Sequence, residues 1–270
     1  MDAVNGINKD VTILLKSDTT AHKMKKSVMG GKRRRRTEKL IRFTFFGVAL
    51  ASIVTLALII VFLFAEGVPI FGKVSVKDFI FGTLWYPTDD PPEFGIFPLI
   101  VASLAVTGVA SMISIPLGVL TALYLAEAAS ARLRQWVKPI VELLAALPSV
   151  VIGFFGMVIV APFLQEVFGI ATGLNLFNAA LMLAFMSIPT ICSISEDAIF
   201  GVPTELKEAS LALGATRWET IARVILPASI SGISTAVILG MSRAIGETMV
   251  VLMVAGGATM LPTSLFDPVR

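Results

Sequence analysis

A single arginine and a single glutamate stand together inside an otherwise uncharged region near the end of the chain. The run is Gly240-Met241-Ser242-Arg243-Ala244-Ile245-Gly246-Glu247-Thr248, between uncharged stretches of 19 residues, 224–242 and 248–266. The apolar pattern passes straight through it, which predicts one helix over about 228–254. Arg243 and Glu247 are then i and i+4 on one face. Two short segments joined at 243–247 are the alternative, for which only Gly246 is a turn signal. A charge in mid-membrane costs several kcal/mol unless it is paired or hydrated, so such residues mark pathways. Arginine offers a planar fork of donors matched to the oxygens of an anion such as phosphate. Glu247 would hold that fork and keep the empty site from binding too tightly, with Ser242 and Thr248 as added hydroxyl donors. The competing role is a buried pair that fixes helix packing. Arginine preceding glutamate is the less favourable order for helix stability, which weighs against that role.

A second group of chemistry-bearing residues lies at 205–219, an island of charge and small residues between hydrophobic segments. Its sequence is Glu205-Leu206-Lys207-Glu208-Ala209-Ser210-Leu211-Ala212-Leu213-Gly214-Ala215-Thr216-Arg217-Trp218-Glu219. Gly214 accepts the left-handed conformation that ends a helix. Thr216 and Glu219 have capping-box spacing for the start of the next one. The stretch reads as helix, glycine elbow, helix, with Leu206, Ala209, Ser210 and Leu213 on one face of the first.

The order Glu208-Ala209-Ser210, three residues, Gly214, nine residues, Val224, one residue, Leu226-Pro227 resembles the EAA loop of ABC importer permeases. That pattern is E-A-A, three residues, G, nine residues, I, one residue, L-P; Ser210 and Val224 depart mildly from it. The resemblance implies a coupling helix seated in a cleft of an ATP-binding subunit, with Glu205, Glu208, Ala209, Gly214 and Arg217 at the contact. Arg-Ala-Ile-Gly-Glu-Thr at 243–248, Ser-Glu-Asp-Ala at 195–198 and Ala-Leu-Gly-Ala-Thr-Arg-Trp-Glu-Thr at 212–220 are similar to the phosphate-specific permeases of the PstC/PstA type, most of all the PstC branch. This likeness implies a six-span subunit of a bacterial or archaeal inner membrane, with Arg243 and Glu247 in phosphate passage. It also implies three partners: an ATP-binding subunit, a second, PstA-like permease and an extracytoplasmic phosphate-binding protein. ATP and Mg²⁺ would sit on the ATPase, with no cofactor in this chain. The sequence ends at Arg270, before the sixth span that the family pattern continues to.

The elements that must position these residues are membrane helices. Hydrophobic residues make up 56% of the chain, charged residues 15%, and the mean hydropathy is +0.86. The expected fold is all-α, a polytopic helix bundle of the type I ABC importer permease kind. Five spans are expected, at about 43–64, 100–123, 143–165, 179–195 and 228–254, with the coupling loop at 204–227 and the permease domain covering 43–270. Gly108, Pro116 and Gly118 predict a bent, closely packed second span, and Pro148 and Gly153 a kink or tight crossing in the third. The net charge of +3 conceals a contrast: residues 1–42 hold twelve Lys/Arg against four Asp/Glu, and the remainder ten against fifteen. The basic run Lys32-Arg33-Arg34-Arg35-Arg36 precedes the first span and reads as a topology signal in contact with anionic lipid, not a nucleic-acid patch. The 1–42 tail is expected to be disordered and cytoplasmic. Charge bias and span count then both place the 204–227 loop in the cytoplasm and the acidic 65–93 segment outside.

Several function classes lose support. Gly30-Gly31-Lys32 is followed by Arg33 and lacks the upstream glycine of a P-loop. The chain has one cysteine and one histidine, so it offers no Cys/His metal cluster, and no nucleophile–base set is present. An ATP-driven permease is the leading reading. An ion-gradient-driven transporter using Arg243 and Glu247, and a permease for another oxyanion such as sulfate or molybdate, are the alternatives.

Overall fold

The computed structural model describes residues 38–270, so the basic run at 32–36 and most of the 1–42 tail lie outside the described residues. Among the described residues, five helices are long and apolar enough to cross a membrane. The first, α1 (Glu38–Gly72), forms a unit of its own with residues up to Lys73 and has no buried residue in its apolar window. Its exposed Phe43, Phe45, Phe46, Phe62 and Phe64 suit a hydrocarbon environment, where apolar surface is not penalised.

The second unit, residues 74–270, opens with a short helix α2 (Val76–Phe81), capped by the Ser75 hydroxyl accepting from the Asp78 amide. A two-stranded hairpin follows, β1 (Trp85–Tyr86) against β2 (Glu93–Phe94), with Trp85 opposite Phe94. Then come α3 (Phe97–Ala128), α4 (Ala131–Ala145), α5 (Ser149–Phe168), α6 (Leu176–Phe200), α7 (Thr204–Ala212), α8 (Arg217–Ile245) and α9 (Met249–Val254).

The hub is α6. Fifteen of its residues are buried, and α3, α8, α4 and α9 all pack on it. Small residues make that possible: Ala110 on α3, Ala179, Ala180 and Ala184 on α6 and Ala236 on α8 are almost wholly enclosed. Ile191 shows how close the approach is. It is wedged between Gly118 of α3 and Gly240 of α8, and a methyl group on Gly118 would come within 2.8 Å of it. A methyl on Gly240 would collide with it outright. Gly108 has open space beside it, so the packing expected there is confined to Gly118.

Two expected helices are broken. The third span was expected at 143–165 with a kink or tight crossing at Pro148 and Gly153, but the chain leaves helical geometry at residues 146–148 and restarts with Pro148 at the N-cap of α5. Proline lacks the amide that a continuous helix needs there. Gly153, just beyond, admits Met253 and Val250 of α9. The fifth span was expected to run unbroken over about 228–254, yet α8 ends at Ile245 and α9 starts at Met249. Helix α5 packs against α9, so the second halves of the two interrupted helices meet.

Three crossings also contain a π-helical turn, at Tyr124–Ala128, Gly156–Val160 and Ile221–Ile225. Asn178, fully buried, donates to the carbonyls of Gly156 (3.1 Å) and Gly173 (2.9 Å), tying the middle π turn to the start of α6. The last segment folds back over that end. Val269 donates to Ala255 (2.7 Å), and the carbonyls of Asp267 and Leu265 accept from the first amides of α6, at Leu176 and Phe177. The Asp267 carboxyl is held below the usual carboxylate range by the Thr263 hydroxyl and the amides of Thr263 and Ser264.

Candidate functional site

The two breaks and Arg243 belong to one place. Arg243, half-buried near the end of α8, donates from Nη2 to the carbonyl of Ala145, the last residue of α4, at 3.0 Å. Its Nη1 reaches Thr190 Oγ1 at 3.5 Å, next to Pro189 inside α6. The C-terminal carbonyls of a helix carry partial negative charge and lack partners along the chain, so a guanidinium is well placed there. The interruption at 146–148 is what frees the Ala145 carbonyl.

Glu247 does not join it. Among the described residues no ion pair links Arg243 to Glu247. The expected i, i+4 pairing fails because the helix stops at Gly246, whose weak helix propensity opens a turn. Glu247 Oε1 instead accepts from the amides of Met249 (3.1 Å) and Val250 (3.3 Å). It caps α9, satisfying amides that the break leaves without partners and complementing the helix dipole. The role of counter-charge to the arginine fork is thereby corrected. Ser242 is also committed elsewhere, its hydroxyl donating to the Ile238 carbonyl of its own helix (2.8 Å). Thr248 occupies the N-cap of α9 without a capping bond and, with Ser103, Glu247, Gly257 and Arg270, lines a cavity of about 420 Å³.

At the far end of α8 the loop has its expected shape. Helix α7 is followed by Gly214 at φ +86°, the left-handed turn for which glycine is suited. Thr216 and Glu219 form both halves of the capping box that starts α8. Glu205, Glu208, Ala209, Gly214 and Arg217 are all exposed. The tip also exposes Leu213 at 90% and Trp218 at 68%, an apolar pair at a charged elbow, as a docking surface presents.

Sequence reasoning missed the ion pairs that organise this end. Glu196, 1% exposed, receives Arg134 Nε at 2.6 Å and Lys138 Nζ at 3.2 Å, and Lys138 also bonds Asp197 at 2.7 Å. The Arg134 guanidinium lies over the Phe200 ring, 4.1 Å from its centre. The hydrogen bond to Asp197, and then the contacts with Glu196, raise the Lys138 pKa above its ordinary value against the opposing effect of burial. Nearby, Lys207 of α7 pairs with Glu127 in the π turn of α3, and Ser210 shares a 2.9 Å hydroxyl bond with Thr220 of α8. The only signal for the first cluster was the amphipathic pattern of α4, which puts Arg134 and Lys138 four residues apart on one face.

Residues 114–267 match the family described as binding-protein-dependent transport system inner membrane component. The chain is 41% identical over 221 residues to a probable ABC transporter permease protein, YqgH, of Bacillus subtilis, covering 81% of this chain and 72% of that protein. It is 33% identical over 253 residues to the phosphate transport system permease protein PstC of Haemophilus influenzae, covering 86% and 78%. A structure of the MetNI methionine ABC transporter in an inward-facing conformation is also similar, with 27% identity, a TM-score of 0.45, and coverage of 56% of this chain and 68% of that one.

Proposed function

The chain belongs to the binding-protein-dependent transport system inner membrane component family, and from that premise we propose that it is the PstC-like permease subunit of an ATP-driven phosphate importer. It is a multi-pass membrane transport subunit that works with an ATP-binding subunit, and not an enzyme. The finer assignments are a PstA-like second permease, an extracytoplasmic phosphate-binding protein, ATP and Mg²⁺ on the partner ATPase, and a cytoplasmic N-terminus. The exposed α7 elbow is the coupling helix, and its side of the bundle faces the cytoplasm.

The observation that carries the anion reading is Arg243 itself. Its charge is met by a backbone carbonyl and a hydroxyl, with no carboxylate neutralising it among the described residues. The guanidinium therefore keeps its positive charge and its remaining donors for an incoming oxyanion. Interrupted helices with their ends turned to a mid-membrane site are a recurring way to bind ions in transporters. The site here lies between the ends of α4 and α8, where a phosphate would find a fixed cation in a medium that screens charge poorly. Glu247, bound to the amides of α9, holds the break open and does not compete for the arginine.

The test is co-purification of the full chain from its native membrane followed by reconstitution. The expected result is an ATPase and a second permease in the complex, and ATP-dependent uptake of phosphate in preference to sulfate and molybdate. Uptake driven by an ion gradient without an ATPase, or preference for another oxyanion, would overturn the reading.

A further inference from the structure

We infer that Glu127 and Lys207 are positioning residues that deliver the movement of α7 to α3, so that α3 is the rod along which coupling reaches the far side of the bundle. The inference rests on the assignment of α7 as the coupling helix. Lys207 lies on the side of α7 away from the exposed Glu205, Glu208 and Ala209, and its ammonium contacts Glu127 Oε1. Both side chains are largely withdrawn from solvent, at 21% and 15% exposure. The pair spans 80 residues of sequence and joins two elements that share no other charged contact among the described residues.

Glu127 is where it is because α3 closes in a π turn. The Ala129 amide bonds the Tyr124 carbonyl, five residues back, at 2.8 Å. The extra residue of such a turn redirects the side chains that follow, and π turns recur at functional positions. On its other flank α7 is tied to α8 by the Ser210–Thr220 bond, next to a second π turn at Ile221–Ile225. Between these ties lies a cavity of about 210 Å³ lined by Glu127, Lys207, Leu211, Arg217 and Thr220. Helix α7 is thus held by two polar contacts beside open space, not packed into the core; none of its residues is buried.

From Glu127, α3 runs back to Ser103, which lines the cavity shared with Glu247 and Thr248 beside the α8–α9 break. At 1.5 Å per residue that is a rod of about 36 Å. A displacement of α7 carried through the ion pair shifts α3 lengthwise and alters the cavity at its other end.

The experiment uses the complete assembly in proteoliposomes, with inorganic phosphate as the probe. Phosphate moved per ATP hydrolysed is measured for Glu127→Gln, for Lys207→Gln and for the exchange of Glu127→Lys with Lys207→Glu. Docking is read separately by cross-linking a Leu213→Cys variant to the ATPase; the native Cys192 is buried and does not compete. Each neutralising variant is expected to lower phosphate per ATP about fivefold with the cross-link retained, and the exchange to restore it. A wild-type ratio in the neutralised variants with the cross-link intact overturns the ion-pair inference alone. Equal loss in all variants, with less protein in the membrane, overturns it in favour of a purely structural pair. Failure of the Leu213→Cys chain to cross-link at all overturns the coupling-helix assignment and the inference with it.

Discussion

Charges are handled in opposite ways at the two ends of α8. Near its start, basic and acidic side chains neutralise one another across helices: Arg134 and Lys138 with Glu196 and Asp197, Lys207 with Glu127. Near its end, Arg243 and Glu247 are four residues apart and ignore each other, each bound to the backbone of an interrupted helix. A carbonyl or an amide fixes the position of a charged group without cancelling its charge. A buried carboxylate does cancel it, and removing one partner then leaves an uncompensated charge. The first arrangement cancels its charges pairwise; the second leaves the Arg243 charge without a carboxylate partner among the described residues. Substitutions at the two ends should therefore fail in different ways.

The largest expected effect is at Arg243. Arg243→Gln should lower phosphate uptake by the complete assembly about a hundredfold, equivalent to ~3 kcal/mol for an anion deprived of its counter-charge. Protein in the membrane and its melting temperature should change little. Wild-type uptake would reduce Arg243 to a cap for α4 and erase the difference between the two regions. Glu196→Ala comes next and should fail the other way. Losing the carboxylate between Arg134 and Lys138 should destabilise the solubilised protein by about 1–3 kcal/mol, read as a lower melting temperature and reduced yield. Uptake per surviving molecule should stay near wild type. A transport defect without loss of stability would show that this cluster belongs to the working path as well.

Glu247 offers a finer test. Glutamine keeps an oxygen for the Met249 and Val250 amides, whereas alanine leaves them without it. Glu247→Ala should cost about 1 kcal/mol of local stability and slow uptake about fivefold, with Glu247→Gln within about twofold of wild type. Equal loss in both would restore the negative charge, and not the cap, as the important property.

The shape of the 204–227 elbow was legible because its determinants are local: Gly214, Thr216 and Glu219 act within a few residues of themselves. The membrane helices were legible for the same reason, as uncharged runs of sufficient length. The Arg243–Glu247 relation was misread because periodicity describes a helix only while it continues. Gly246 was the one visible sign of the break, and the Glu247 carboxylate that stabilises the break looked like half of an ion pair. The Glu196 and Glu127 contacts were out of reach for another reason. Their partners lie 62 and 80 residues away, and nothing in residue spacing reports which helix ends meet.

The smallest effect is a pH dependence that separates the two arms of the Glu196 cluster. The Lys138 pKa is raised, first by its hydrogen bond to Asp197. A lysine raised in the folded state contributes stability that is fully present below its unfolded pKa and lost as pH rises through the folded one. The window therefore opens at the ordinary lysine value of 10.5 and extends upward. The other arm of the cluster, Arg134 Nε on Glu196 at 2.6 Å, is a separate contact. The difference in melting temperature between wild type and Lys138→Gln should hold constant from about pH 7 to pH 10 and close above that. Because the Lys138 side chain is 29% exposed, the difference should be modest and should shrink in high salt. A margin that already narrows near neutral pH would assign the dependence to another group. A margin that survives well above the window would mean that Lys138 acts by packing its stem against the bundle, and that Arg134 alone neutralises Glu196.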